Sequence, residues 1–232
     1  MKFIRSNFFP YKNTFDLNEY KKFHKDYILF NSYSDNFEIR EISSLSYLRD
    51  NSFLFLETDK DNLNVKDRNI HIVSNIENNK NYYKNISIVK NLSLSYNVIC
   101  NKLFYHDDHI DYKDDFNYIN GSFISKYTNI HKSVVIGKNS IISRGVEIGK
   151  NSIIKNNVVI KSSILGNNVI ICDNASIGTS GFGFDFNNRG TLNFNPQLGI
   201  TILDDNVHIG ASCTIDRGKI DHTYIGKNTM ID

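Results

Sequence analysis

From Ile124 onward an aliphatic residue returns at every sixth position: Ile124, Ile130, Ile136, Ile142, Ile148, Ile154 and Ile160. One five-residue step then reaches Leu165, and the spacing resumes at Ile171 and Ile177. Two residues before each stands something small or β-branched, as at Ser122, Thr128, Val134, Ser140, Val146, Ser152, Val158, Val169 and Ala175. A fixed period this short is the signature of a stacked β-solenoid, and six is not a helical period. Side chains alternate across a strand, so positions i and i−2 face the same way. Each hexad therefore supplies one bulky and one small inward residue, then a turn. Gly, Asn and Asp fill the turns because they tolerate positive φ and bond their own backbone. Three hexads make one triangular coil, and successive coils stack about 4.8 Å apart.

The repeat pauses at a long segment rich in Gly and Phe and returns at Ile202, Ile209 and Ile215. A shorter excursion, Asp216 to Thr223, precedes Ile225 and Ile231. The sequence predicts three regions: a small α/β domain over 1–103, a charged linker over 104–118, and the solenoid over 119–232 with an insertion at 178–201. In the first region Leu17 to His24 reads as a helix capped by Asp16. Phe37 to Ile42, Ser52 to Leu56, Ile70 to Val73 and Ile86 to Val89 read as strands, and Asn91 to Leu103 has helical spacing. A long, aromatic loop in a compact domain is usually functional or interfacial.

The net charge of +2 and the lack of a dense basic run exclude a nucleic-acid binder. Cys100, Cys172 and Cys213 form no CxxC, which predicts reduced thiols in a reducing compartment; Cys213 falls at a small inward hexad position. No secretory leader and no apolar run of about 20 residues is present, so the expected location is cytoplasmic. The run His106 to Asp115 contains metal-ligand residue types, but its spacing matches no standard site, and no metal is expected. A solenoid normally closes with a cap that covers its last coil. None comes after Ile231, so either the polypeptide continues or something else covers that coil.

The insertion and the hexads after it carry a specific combination of motifs: Gly181-Phe182-Gly183-Phe184, Arg189-Gly190, Pro196-Gln197 and Gly199, then Ile209-Gly210-Ala211, Thr214-Ile215-Asp216-Arg217-Gly218 and Thr223-Tyr224-Ile225-Gly226. Together they resemble the UDP-3-O-(3-hydroxyacyl)glucosamine N-acyltransferases of lipid A, and hence lipopolysaccharide, synthesis, a branch of the hexapeptide-repeat acyltransferases. The resemblance implies a mainly β chain: a left-handed parallel β-helix preceded by a small α/β, uridine-binding domain, assembled as a homotrimer. It further implies transfer of a 3-hydroxyacyl chain from acyl carrier protein to the 2-amino group of a UDP-3-O-acylglucosamine lipid precursor. Acyl carrier protein is then a co-substrate, and no cofactor is needed.

Such a reaction needs a general base for the attacking amine, and His suits this near neutral pH. The resemblance places the family's base in the hexad after Ile231-Asp232, beyond this sequence, so no residue is assigned as catalytic. Phe55, in the strand Phe53-Leu54-Phe55-Leu56, aligns with an aromatic residue that stacks on uracil; Thr58 and Asp61 stand where the family carries Asn and Tyr. Asp232 is expected to orient the base or touch the sugar, and Phe182 and Phe184 to line a substrate cleft. Asp216 and Arg217 are expected to form a structural pair. His131, His208 and His222 are expected at the surface. Two other functions remain open: another nucleotide-sugar acyl- or acetyltransferase, and a non-catalytic trimeric scaffold or relic lacking the base His.

Overall fold

The structure is a computed structural model that describes residues 4–60, 63–65, 68–106, 114–186 and 190–232. It divides into two compact units. One comprises residues 1–10, 105–181 and 197–232; the other comprises 11–104 and 182–196.

The first unit is a parallel β-solenoid. Its strands fall into three sheets, with five, five and six members. In register, Ile124, Ile142, Ile160, Ile177 and Ile215 stack along one sheet. Ile130, Ile148, Leu165, Leu203 and Ile225 stack along the second. Ile136, Ile154, Ile171, Ile209 and Ile231 stack along the third. These ladders fill the interior together with Val146, Val158, Val169, Ala175 and Val207. Each fully buried aliphatic contributes about 1.5–3 kcal/mol. One hexad position needs correction: Ile202 pairs with Ile164, while Leu203 pairs with Leu165 and is fully buried. Where two aliphatics are adjacent, the period alone leaves the inward one undecided.

The small inward serines close a second circuit. Ser122 Oγ donates to the Gly137 carbonyl at 2.7 Å and accepts from the Ser140 amide at 2.9 Å. Ser140 repeats this with Lys155 and Val158, and Ser152 with Gly166 and Val169. Buried hydroxyls are thus matched to corner backbone groups that the strands leave over. Asn occupies the left-handed turn position coil after coil, with φ between 55° and 62° at Asn151, Asn168, Asn206 and Asn228. Their amides link the coils: Asn168 Nδ2 donates to Asn206 Oδ1 at 3.1 Å, and Asn206 Nδ2 to Asn228 Oδ1 at 2.9 Å. At Gly178 (φ +74°) a Cβ would lie 1.8 Å from the Lys161 carbonyl oxygen, so only glycine fits where the chain leaves the coil.

Residues 4–10 join this unit. Helix α1 (Arg5–Phe8) buries Arg5, whose Nε donates to the Leu198 carbonyl at 3.0 Å. Gly145 packs against the Asn7 backbone and the Phe8 ring so closely that a Cβ would meet them at 2.7–2.8 Å.

The second unit is an α/β layer. Its five-stranded sheet runs in the order Ile28–Ser32, Ile86–Val89, Ile70–Ser74, Ser52–Leu56, Glu41–Ser43. The first pair is antiparallel and the rest are parallel. One face packs Leu54, Leu56, Ile70, Ile72, Tyr83, Ile86 and Ile88. The other carries Phe53, Phe55 and His71 beneath helices α2 (Leu17–His24) and α3 (Leu92–Leu103). The expected Asp16 cap of α2 is a full capping box: Asp16 Oδ1 accepts from the Glu19 amide while Glu19 Oε2 accepts from the Asp16 amide. Asn91 caps α3 by accepting from the Leu94 amide at 2.9 Å.

Candidate functional site

In the α/β unit, α3 joins the predicted uracil-stacking strand to the aromatic insertion. Phe55 is half-buried on its strand and meets Tyr96 of α3 edge-on, with ring centroids 5.1 Å apart. The Tyr96 hydroxyl donates to the Pro196 carbonyl at 2.7 Å. One position on, Asn97 Nδ2 donates to the Phe194 carbonyl at 2.6 Å, and Asn195 Nδ2 donates to Ser93 Oγ at 3.2 Å. The insertion forms an antiparallel ribbon of Phe184–Phe186 and Leu192–Phe194, with Phe184 opposite Phe194 and Phe186 opposite Leu192. Period-2 alternation puts these four side chains on one face. Phe182 joins them, 85% exposed, with its ring 5.3 Å from Phe184 and 6.5 Å from Phe194. Polar groups of α3 hold the ribbon by its backbone, and its rings face solvent. Phe55, Phe182 and Phe184 therefore belong to one unit. Asp61 and Arg189 lie outside the described residues. Thr58 is exposed, and its carbonyl accepts from Asn79 Nδ2 at 3.0 Å. On the opposite face of the sheet from Phe55, a cleft of ≈ 560 Å³ is lined by Ser34, Leu63, Ile70, Tyr82, Tyr83 and Lys84, among others.

Two histidines that the sequence did not single out lie under this site. His24 and His71 are fully buried. His24 Nε2 is 2.9 Å from Ser95 Oγ, and His71 Nε2 is 2.8 Å from Ser87 Oγ. Ser87 Oγ also donates to Asn31 Oδ1 at 2.5 Å. Neither Nδ1 has a hydrogen-bond partner. Burial pushes the imidazoles down from 6.5, His24 to about 4 and His71 to about 3.

In the solenoid unit, Arg217 is 3% exposed and spans the root of the insertion. Its Nη1 donates to the Gly178 carbonyl at 2.9 Å and its Nε to the Gln197 carbonyl at 2.8 Å. Asp216 Oδ1 accepts from Thr179 Oγ1 at 2.7 Å. Arg5 repeats the Arg217 device at Leu198. Nothing local in the sequence marks Arg5, because its partner lies 193 residues away. Asp232 is exposed at the end of its strand, and its carboxylate comes to 2.9 Å of where a Gly210 Cβ would stand. His131 Nδ1 sits 2.9 Å from Ser133 Oγ, and His222 Nδ1 accepts from the Ile200 amide at 3.3 Å. His208 Nε2 lies 3.3 Å from the Cys172 sulfur. Among the described residues no three His, Cys, Asp or Glu side chains gather into a metal cluster. Most of the run from His106 to Asp115 falls outside them. Among the described residues no helix is long and apolar enough to cross a membrane.

Residues 127–162 match the bacterial transferase hexapeptide (six repeats) family. Over 59 residues the chain is 52% identical to a UDP-3-O-acylglucosamine N-acyltransferase of Pseudoalteromonas translucida (strain TAC 125), covering 25% of this chain and 17% of that protein. Over 58 residues it is 50% identical to the enzyme of the same name from Rhizobium rhizogenes (strain K84 / ATCC BAA-868), covering 25% and 16%. The matched stretch thus spans about a sixth of the length of these curated relatives. Among solved structures, the acetyltransferase domain of PglB from Neisseria gonorrhoeae FA1090 aligns over 81% of this chain and 86% of that one, at 12% identity and a TM-score of 0.19. Such a score carries no argument about a shared arrangement. The chain contains a β-solenoid with hexapeptide repeats and, over a quarter of its length, is similar to the UDP-3-O-acylglucosamine N-acyltransferases.

Proposed function

We propose that this chain is part of an N-acyltransferase of lipid A biosynthesis. The reaction moves a 3-hydroxyacyl chain from acyl carrier protein to the 2-amino group of UDP-3-O-acylglucosamine. The observation that carries the reading is the match of about half the residues, over 58–59 positions, to proteins of that name. The hexapeptide solenoid supports it independently.

The glucosamine amine attacks the thioester carbonyl, a base takes its proton, and the carrier protein's thiol leaves. Phe55 stacks on the uracil; its half-buried ring, braced edge-on by Tyr96, suits a flat base, and such stacking is worth about 1–3 kcal/mol. Phe182 and Phe184 give the substrate an apolar wall. Asp232 orients the base or binds the sugar. Acyl carrier protein is co-substrate, and the reaction uses no cofactor. The solenoid is left-handed, and the enzyme is a cytoplasmic homotrimer. Outward-facing Phe123 and Ile141, neighbours on one sheet, support association, because they leave apolar area in water.

The test is calorimetric titration with a UDP-3-O-acylglucosamine, followed by an N-acyl transfer assay with 3-hydroxyacyl carrier protein read by mass spectrometry. Binding that weakens about fivefold or more in Phe55→Ala, at the lower end of base stacking, is the expected result. No binding by the folded protein would sink the proposal. Binding without transfer would favour the non-catalytic scaffold.

A further inference from the structure

On the outer surface of the solenoid, two adjacent coils set a thiol beside an imidazole. Ile171 and Ile209 pair in register and both point inward. Alternation therefore turns Cys172 and His208, one step to either side, outward. Both are half-buried, with 3.3 Å between Cys172 Sγ and His208 Nε2. The coil backbone fixes them: the Cys172 amide donates to the Ile209 carbonyl and the Ile170 amide to the Val207 carbonyl, each at 2.9 Å. The neighbouring Asp173 is turned to the preceding coil, where its Oδ1 accepts from the Asn156 amide at 2.8 Å and from Asn156 Nδ2 at 3.0 Å. The other two thiols differ. Cys100 is fully buried, and Cys213 packs against the solenoid interior.

A thiol within reach of an imidazole nitrogen, held on rigid strands, is a nucleophile with its base already in place. We propose that Cys172 is an acyl-accepting thiol, with His208 as its base, for small acyl thioesters. Cys172 passes its proton to His208 Nε2, and the sulfur attacks the thioester carbonyl. The bond from the carbonyl carbon to the donor's sulfur then breaks, and the departing thiolate takes the proton back from His208. One C–S bond forms and one breaks, with no change of oxidation state. This acylation does not depend on the amide-forming reaction proposed above.

The probe is S-acetyl-N-acetylcysteamine, incubated with the intact chain and followed by whole-protein mass and peptide mapping. The expected product is one acetyl group on Cys172, released by hydroxylamine and absent in Cys172→Ser. With the melting profile retained, His208→Gln slows the acetylation about a hundredfold or more, the lower end of what a positioned base contributes. Acetylation of Cys213 as fast as Cys172 in the unaltered folded protein would overturn the assignment, and needs no variant. So would a folded His208→Gln that reacts at the unaltered rate. Neither result touches amide formation, which is read in the separate transfer assay.

Discussion

Mild acid should destabilise the α/β unit through two side chains. His24 and His71 are held neutral in the fold, at about 4 and about 3, against 6.5 when exposed. The direction comes from proton counting. Below pH 6.5 the unfolded chain binds protons that the native state refuses, so stability is complete above 6.5 and is lost as the pH falls towards the folded values. Between pH 7 and pH 5 each histidine removes about 2 kcal/mol, because 1.5 pH units below the unfolded value cost about 1.36 kcal/mol each. Together they remove about 4 kcal/mol, a large part of the 5–15 kcal/mol typical of a domain. The structural reason is local: protonated His71 would carry an Nδ1 donor with no acceptor in a dry site. The assay is urea unfolding at pH 7 and pH 5 for the unaltered chain, His24→Gln and His71→Gln. Gln retains a polar group but does not titrate, so each variant should lose about 2 kcal/mol less stability over that interval. Proton NMR of the imidazole ring hydrogens gives a direct reading. A ring signal of either residue moving with a midpoint near 6.5 in the folded protein would refute the reasoning.

Two further outcomes concern the solenoid. Ile171→Ala, in the middle of its ladder and fully buried, should cost about 2–5 kcal/mol, seen as an earlier thermal or urea transition of the solenoid. Asn168→Ala places a Cβ-bearing residue without a side-chain amide at φ 55° and removes the bond to Asn206. It should cost about 1–2 kcal/mol from the left-handed backbone alone, and Asn168→Gly should cost less. Equal melting of the two variants would rule out the conformational part of this argument.

The solenoid was legible because its period is fixed by geometry: a residue that returns every sixth position meets its own kind in the next coil. The pattern failed only where Ile202 and Leu203 are both aliphatic and nothing local chooses between them. The α/β unit was legible at its helices, through the Asp16 cap, which acts within three residues of itself, and through the helical spacing of Asn91 to Leu103, where Asn91 proves to be the cap. Arg5 was not, because its burial is decided by a carbonyl far along the chain. His24 and His71 were not, because a polar residue type gives no sign of the aromatic layer that encloses it. For the site, the aromatic character of Phe182 and Phe184 was visible in sequence. The polar anchors on α3 that hold their ribbon were not, since Tyr96, Asn97 and Ser93 look like ordinary helix positions.

The stacking register carries a consequence for how such a chain can change over generations. Partners in neighbouring coils lie 18 residues apart at Val135 and Ile153. They lie 38 apart at Ile170 and His208, and 22 apart at His208 and Met230. The vertical ladder continues through all three spacings. The interior thus records which face a residue returns to and is blind to how much chain was spent between returns. Tandem duplication of one whole coil would lengthen the column and leave every existing neighbour in place. An insertion at a corner, as at Gly178, adds new surface while the interior keeps its order. A deletion of one residue within a strand has no such freedom, since alternation would turn that coil's inward aliphatic out into water.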